Sequence, residues 1–375
     1  MNNKCVNPGM IILARESRGL TQKELAEKLN ISPAQLSRIE VGLRTIQKEQ
    51  LQLLSEVLNY PVDLFMQQQP VYGLGISEFY HRKYKDISDR LLNQIYANIH
   101  LRLRELERLI REVDIGKVDI KPIQVDDFGG NAAEVARLVR ASWHLPHGPV
   151  RNLVEVIENA RGIIIPFDFG TNRIDAISHW NNNGMPPIFF INAYSPTDRL
   201  RFTICHELGH VIMHRSIDPD MENQADEFAS EFLMPAKDIK PYLVDISLAK
   251  LADLKRQWKV SMAALLKRAT DLEVITQRKA RSLWVELGKA GYRKREPIEL
   301  DLPNESPSLL NEIIQTYTDD MEYSVAELSQ VLSLTKKETT QIYFESEKII
   351  AEKEHKAERK AAIKEVEQLL NSNQQ

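Results

Sequence analysis

Apolar residues recur every three or four positions along most of this chain, the spacing that places them on one face of an α-helix. Residues 8–65 contain several short stretches of this kind separated by turn residues, and they predict a bundle of five helices. Residues 87–113 continue the same spacing with basic residues between the apolar ones. They predict one long helix that serves as a spacer or in dimerisation.

Two runs near the middle of the chain have the character of strands instead. Residues 163–167 are almost continuously apolar, and residues 187–193 (PIFFINA) also favour an extended backbone. The polar residues between Gly170 and Pro186 predict a loop. The chain is therefore expected to be mainly α with an α+β core.

These patterns divide the chain into four predicted parts. Residues 8–66 form a helical domain, 67–129 a linker and the long helix, 130–296 the α+β domain, and 297–375 a helical extension. Within the extension, residues 323–338 (YSVAELSQVLSLTKKE) have a weak helix, turn, helix pattern. A structural role is the favoured interpretation of residues 323–338, and contact with DNA is the alternative.

Composition limits the possible compartments and partners. The 375 residues are 43% hydrophobic, and the formal net charge is −4, so any attraction to nucleic acid must be local. Two cysteines provide no disulfide framework, and neither a leader peptide nor a long apolar run is present. The expected protein is cytoplasmic and has no membrane partner.

The residues with the clearest chemistry are His206, Glu207 and His210. The two histidines are four positions apart, so on a helix they lie one turn apart on the same face and can bind one metal ion together. A glutamate directly after the first histidine is normally not a ligand in such sites but the general base for the attacking water. Glu207 is therefore the predicted base.

A third ligand must follow, because a catalytic zinc site has three protein ligands and one open position. A second helix starting near Asp218 and Pro219 would place Glu222 and Asp226 on one face. We predict Glu222 as the third ligand of one Zn²⁺ per chain. Asp226 is predicted to orient a ligand histidine through its other ring nitrogen. His214 is one turn further along and is expected to support the site or the core.

This region resembles the ImmA/IrrE family of bacterial zinc metallopeptidases. The resemblance rests on the stretches TICHELGHVIMH (203–214), ENQADEFA (222–229) and LMP (233–235). It implies a compact gluzincin-like α+β core. It also implies a peptidase that cleaves a partner transcriptional repressor, so the predicted protein partner is a substrate of that kind.

The predicted loop between the two extended runs also provides a candidate for stabilising a developing oxyanion. Loops beside metal sites often carry such groups. His179 in this loop is the first candidate, and Tyr194, directly after the second extended run, is the next. An ordinary surface role for His179 is the alternative.

The N-terminal domain contains two helix-start signals in succession. Thr21 with Glu24 forms a capping box, and Ser32 precedes a proline at the first position of the next helix. The stretch LTQKELAEKLNISPAQLSRIEVGLR (20–44) resembles the Cro/repressor (XRE) helix-turn-helix family. In that arrangement the second helix enters the major groove of double-stranded DNA.

The resemblance implies a set of DNA-binding residues in this domain. Contacts to base edges or to the backbone are expected from Gln22, Ser32, Ala34, Gln35, Ser37, Arg38 and Arg44. The domain's basic and acidic residues are nearly balanced in number, which is a weak electrostatic signal for DNA. Dimerisation or docking to a partner protein is therefore the alternative role for this domain.

Two functions from different classes remain open at this point. In the first, the protein is a DNA-binding regulator with an active zinc-dependent endopeptidase domain. In the second, it is a DNA-binding regulator or antitoxin-like repressor whose metal domain senses a ligand or binds a partner without cutting. The complete set of catalytic residue types favours the first, and a homodimer is compatible with both.

Overall fold

A computed structural model of the protein describes residues 5–68, 87–181, 184–216, 218–293, 295–345 and 348. It contains two compact units. The first combines Met1–Gly73, Asp86–Asp114 and Asn311–Gln375, and the second combines Leu74–Lys85 with Ile115–Leu310. Most of the predicted linker, from residue 69 onward, lies outside the described residues. The four predicted parts stay a prediction, because the compact units group the chain by contacts and not by sequence order.

The first unit begins with five helices, as predicted. They are α1 (Pro8–Ser17), α2 (Gln22–Lys28), α3 (Pro33–Glu40), α4 (Lys48–Leu58) and α5 (Val62–Phe65). Met10, Leu36, Leu54 and Phe65 are buried between them. The capping box at α2 is present, since Thr21 N–H donates to Glu24 Oε2 at 2.7 Å and Thr21 Oγ1 accepts from Glu24 N–H at 3.2 Å.

The long helix α6 (Asp89–Arg111) packs against α1. Gln94 and Asn98 donate side-chain hydrogen bonds to the carbonyl of Ser17, at 3.3 and 3.1 Å. Arg90 donates to the carbonyl of Gly19 at 2.6 Å. The end of α1 is thereby tied to α6, so α6 belongs to the body of this unit.

The second unit alternates helices with one small sheet. Its elements before residue 240 are α7 (Ala132–Ser142), α8 (Leu153–Asn159), β1 (Ile163–Phe167), β2 (Ala176–His179), β3 (Ile188–Asn192), α9 (Thr197–Met213), α10 (Met221–Leu233) and α11 (Ala236–Ile239). They are followed by α12 (Leu248–Trp258), α13 (Met262–Asp271) and α14 (Gln277–Lys289). Trp258 and Leu265 are buried, as the sequence predicts.

The described strands form a three-stranded mixed sheet in the order β1-β3-β2. β1 runs parallel to β3 with Ile163 opposite Ile188, and β2 runs antiparallel with Ala176 opposite Ile191. The prediction of a loop throughout residues 170–186 was therefore wrong. β2 has four residues and only two are apolar, so its pairing with β3 is a tertiary effect that the local pattern does not reveal.

The segment after α14 returns to this unit. A carboxylate oxygen of Glu305 accepts from the backbone N–H groups of Leu153 and Val154 at the start of α8, at 2.8 and 3.3 Å. The other oxygen pairs with the buried Arg201 of α9. Glu305 therefore attaches residues beyond the predicted boundary at 296 to the α+β unit.

The chain ends, in its described part, with α15 (Leu309–Gln315), a π-helical turn (Thr316–Asp320), α16 (Val325–Leu332) and α17 (Lys336–Tyr343). Except for the start of α15, these elements belong to the first unit. Tyr343 donates its hydroxyl to Glu105 of α6 at 2.6 Å. Arg18, at the end of α1, pairs with Glu338 of α17 at 2.5 Å.

These last helices repeat the first three at a constant register. Ser324 and Glu327 form a capping box like that of Thr21 and Glu24, 303 positions earlier. The left-handed residue in the following turn is Asn30 (φ 53°) in the first copy and Ser333 (φ 55°) in the second. The same register aligns Gly19 (φ 64°) with Glu322 (φ 55°). The weak pattern at residues 323–338 thus corresponds to a second helix, turn, helix arrangement.

Membrane-spanning helices were sought among the described residues. None of the helices there combines the length and the apolar character that crossing a bilayer requires.

Replacing Lys255 should destabilise the second unit. Its Nζ donates to Asp198 at 2.5 Å and to Glu296 at 2.7 Å, and all three side chains are buried. Lys255→Met would leave two buried carboxylates without their cation, at a cost of about 3–5 kcal/mol. Urea unfolding followed by tryptophan fluorescence reports on this unit, because all four tryptophans lie in it.

The matched control is the neighbouring residue, Arg256. Its ion pair with Asp253, at 3.2 Å, is exposed. Arg256→Met should therefore change the unfolding free energy by no more than about 1 kcal/mol. Equal effects of the two substitutions would contradict the proposed importance of the buried cluster.

Candidate metal centre and helix-turn-helix

Helices α9 and α10 bring the three predicted ligands together. The rings of His206 and His210 lie one turn apart on α9, with their centroids 4.6 Å apart. Glu222 lies in the first turn of α10, which begins at Met221 and thus slightly later than the predicted start at Asp218. One ligand atom from each of these three residues lies within 4.8 Å of the other two.

Gly209 allows α9 and α10 to approach each other closely. A Cβ atom at Gly209 would lie 3.2–3.3 Å from three side-chain atoms of Phe228 on α10. This distance is tighter than ordinary contact, so a larger residue would require Phe228 to shift by a few tenths of an ångström. A glycine inside a helix lowers its stability by roughly 1 kcal/mol relative to alanine. At Gly209 this loss of helix stability accompanies the close approach of α9 to α10.

The orientation of His206 is fixed by Asp226. Nδ1 of His206 lies 2.8 Å from Oδ1 of Asp226. A carboxylate only accepts hydrogen bonds, so Nδ1 carries the proton. The lone pair of His206 is then on Nε2, which faces Nε2 of His210 at 2.9 Å and a Glu222 oxygen at 3.9 Å.

A second chain of hydrogen bonds fixes His210. His214 Nε2 lies 2.9 Å from Oε1 of Gln224, and His214 Nδ1 lies 2.8 Å from Nδ1 of His210. Burial lowers the pKa of His214 to about 4, so its ring is neutral near pH 7. With Nε2 donating to Gln224, His214 Nδ1 is an acceptor, and His210 Nδ1 must donate to it. His214 therefore supports the site, as expected, and Gln224 is a contributor that sequence reasoning missed.

These residues fit a zinc ion. The Nε2 atoms of His206 and His210 lie 2.9 Å apart and converge on the carboxylate of Glu222, whose Oε1 lies 3.4 Å from His210 Nε2. Two imidazoles and one carboxylate are a common ligand set of catalytic zinc. Both rings are also oriented by groups behind them, which is typical of metal-binding histidines. The assignment of Zn²⁺ to this centre nevertheless stays a prediction.

Glu207 is held by the edge strand of the sheet. Oε2 of Glu207 accepts from the backbone N–H of Ser178 at 3.1 Å and from its Oγ at 2.5 Å. Both bonds go to one oxygen, so Oε1 is the oxygen available for a proton. Ser178 was missed in the sequence, because nothing in the local pattern connects β2 with α9.

The two oxyanion candidates lie on either side of β3 in the sequence. His179 is the last residue of β2, directly after Ser178, so its side chain points to the opposite face of the strand. Tyr194 follows β3, and its hydroxyl donates to Oδ2 of Asp168 at 3.4 Å. Both roles remain predictions.

The predicted DNA-binding residues lie on α2, at Ser32 just before α3, on α3 itself and in the turn after it. Ala34, Arg38 and Arg44 are exposed, as is Ser32, and Ser37 is half-buried. Gln22 instead donates to Oε2 of the buried Glu40 at 2.6 Å.

Gln35 also has a structural role within its own helix. Its side-chain oxygen accepts from Ser32 N–H at 3.0 Å, while Ser32 Oγ accepts from Gln35 N–H at 3.2 Å. This capping box orients the start of α3. A substitution of Gln35 would therefore disturb the helix as well as any contact with DNA.

Two family models match separate parts of this chain. Residues 161–270 match a peptidase-family model described as the IrrE N-terminal-like domain, and residues 11–65 match a helix-turn-helix model. The chain joins a helix-turn-helix domain to an IrrE-type domain. The IrrE-type domain contains the sheet, α9 and α10, and so includes every residue of the candidate metal centre.

Two relatives share similarity with part of the chain. They come from Sinorhizobium medicae and Rhizobium meliloti, and each is described as an uncharacterized HTH-type transcriptional regulator. Each is 34% identical over 80 residues, which is 20% of this chain and 58% of the relative. The chain therefore spans little more than half the length of these relatives.

Removing one ligand should weaken metal binding at the IrrE-type domain. His210→Ala leaves one imidazole and one carboxylate, too few for a tight zinc site. We expect the purified variant to lose most of its zinc during dialysis, as measured by elemental analysis, while the native protein keeps about one equivalent.

The control is His147→Ala, because the side chain of His147 is 97% exposed and is not among the predicted ligands. It should keep its zinc. A folded His210→Ala variant with a full equivalent of zinc would exclude the proposed centre.

Proposed function

We propose that this protein is a DNA-binding transcriptional regulator whose IrrE-type domain is a zinc-dependent endopeptidase, acting on a partner repressor or another regulatory protein. The observation that carries the proposal is the placement of Glu207. Its carboxylate is oriented by Ser178, and Glu207 directly follows His206 on α9, the helix that carries two of the three clustered residues His206, His210 and Glu222. A base beside a potential metal site is the arrangement that peptide hydrolysis requires.

The proposed reaction assigns a distinct task to each group of the chain. His206, His210 and Glu222 would hold zinc, which supplies Lewis acidity to polarise a peptide carbonyl and to acidify water. Oε1 of Glu207 accepts the proton of the attacking water and transfers it to the leaving nitrogen as the C–N bond breaks. Ser178 keeps Oε2 in place during both transfers, and Asp226 keeps His206 in the correct tautomer.

A regulator that binds DNA and does not cut is the second candidate. It is favoured by the two relatives, which are described as transcriptional regulators and not as peptidases. In this case, the metal domain would sense a ligand or bind a partner. The two candidates differ in whether the base is needed.

Glu207→Gln separates these candidates. Glutamine has the same shape and can still accept from Ser178, but it cannot take a proton at neutral pH. The variant should keep its zinc and its affinity for DNA, while cleavage of a co-purified repressor falls by at least about 100-fold.

Promoter activity in cells then decides between the two candidates. A lost response with unchanged protein level and promoter occupancy would show that proteolysis is the output. A normal response in the Glu207→Gln strain would mean that cutting is dispensable, and the second candidate would replace the first.

Arg38→Ala tests the proposed contact with base edges. Arg38 is exposed on α3, and a good base contact contributes about 1–3 kcal/mol of discrimination. Gel-shift titrations at fixed salt should show weaker binding to the specific site and little change on random DNA. Lys237→Ala, an exposed lysine of the other unit, is the control for the loss of one charge. Equal losses on both DNAs would mean that Arg38 contacts only the backbone.

A further inference from the structure

A pocket of about 470 Å³ opens beside the candidate metal centre. Its walls come from α9, α10, α13, α14 and the residues just after α14. Its volume lies within the range of small-molecule binding sites. Asp226 lines this pocket and also orients His206. The pocket and the metal centre therefore share a side chain.

The pocket is lined by the same faces of α9 and α10 that carry the metal-binding residues. On α9, Thr203 precedes His206 by three positions, so the two lie on the same face. On α10, Ser230 follows Asp226 by one turn. One helical turn rises only about 5.4 Å. The pocket therefore begins within about one helical turn of the metal-binding residues along each helix.

Aromatic side chains form much of the apolar wall. Phe202, Trp284 and Tyr292 line the pocket, and each is half-buried. The guanidinium of Arg293 lies over the ring of Trp284, 5.3 Å from its centroid. A planar group can pack against these rings, and a nearby cation favours one that carries a negative charge.

Basic residues slightly outnumber acidic ones in the pocket wall. Four basic residues line it, namely Arg199, Lys267, Arg293 and Arg295. The acids Asp198 and Glu296 in the wall are both hydrogen-bonded to the buried Lys255, which offsets one of their two negative charges. The remaining acid, Asp226, is bonded to His206.

Three of these cations are paired with an acid outside the pocket wall. Arg199 pairs with Asp175, Lys267 with Asp271 at 2.8 Å, and Arg295 with Asp301. The pair of Lys267 with Asp271 is exposed, and exposed ion pairs contribute little to stability. Turning Lys267 toward a bound anion therefore has a small cost.

We propose that this pocket binds an aromatic group that carries a carboxylate. The group has two possible sources, an aromatic residue at the carboxyl terminus of a peptide or a free aromatic acid. The peptide source rests on the proposed peptidase function, and the free acid does not. In both cases the ligand is recognised by Trp284 and Arg293 and lies against Asp226.

The test compares three probes of the same shape and different charge: 2-naphthoate, 2-naphthamide and 2-naphthylmethylamine. Binding to the full-length protein is measured by calorimetry and by the change in tryptophan emission, with and without zinc. We expect 2-naphthoate to bind about tenfold or more tightly than the amine, because hydrogen bonds to charged groups are strong. No binding of 2-naphthoate, or equal binding of anion and cation, would overturn the proposal.

Variants show whether the probe occupies this pocket or merely reaches the zinc through its carboxylate. Trp284→Phe keeps an aromatic wall and should remove most of the emission change, while Arg293→Ala should weaken 2-naphthoate several-fold and leave 2-naphthamide unchanged. Arg256→Ala, an exposed residue outside the pocket, is the control. Native affinity in Arg293→Ala would place the probe elsewhere and refute the assignment.

Competition in Glu207→Gln protein identifies the source. A peptide ending in phenylalanine that displaces 2-naphthoate, when its C-terminal amide does not, indicates a peptide ligand. If neither peptide displaces the bound 2-naphthoate, the ligand is a free acid. Binding of 2-naphthoate without cleavage of any protein would refute the peptidase proposal and leave the proposed pocket ligand intact. Cleavage of a protein without binding of 2-naphthoate would refute the proposed pocket ligand and leave the peptidase proposal intact.

Discussion

The close packing of α9 on α10 is the constraint on which the candidate centre depends. Two of the three proposed ligands are on one helix and the third is on the other, so the helix separation sets whether their atoms meet. Gly209 permits that separation, because any Cβ at this position would press on Phe228. Phe228 in turn belongs to the buried core of the second unit. The site is thereby placed by the same contacts that stabilise the domain.

The polar groups behind the two histidines determine which ring nitrogens face the candidate centre. Asp226 accepts a hydrogen bond from Nδ1 of His206, and His214, held by Gln224, accepts one from Nδ1 of His210. The Nε2 atoms of both rings therefore face the candidate centre. Glu207 is oriented independently, by a strand on another part of the unit. The proposed metal binding and the proposed proton transfer thus depend on different supporting residues, so a substitution should be able to remove one and preserve the other.

Residues with fixed spacing on one helix could be predicted from the sequence. His206 and His210 are an example, since helical geometry alone brings them together. The capping box of Thr21 and the strand at residues 163–167 could also be predicted, because their sequence signals are local. Ser178 could not be predicted, because its role arises when the short strand β2 pairs with β3 and faces α9. The contact of Arg18 with Glu338 is likewise a tertiary effect, as its partners are 320 positions apart.

The discontinuity of the first unit has a consequence for synthesis in the cell. Ribosomes add roughly 5–20 residues per second, so the second helical copy emerges about 15–60 s after the first. During that interval the whole IrrE-type domain is made, while α1 and α6 lack the helices that later pack beside them. The nascent chain must therefore keep the face of α6 that α16 later covers from aggregating until the second copy has been synthesised. A premature stop after the IrrE-type domain would leave that face permanently uncovered.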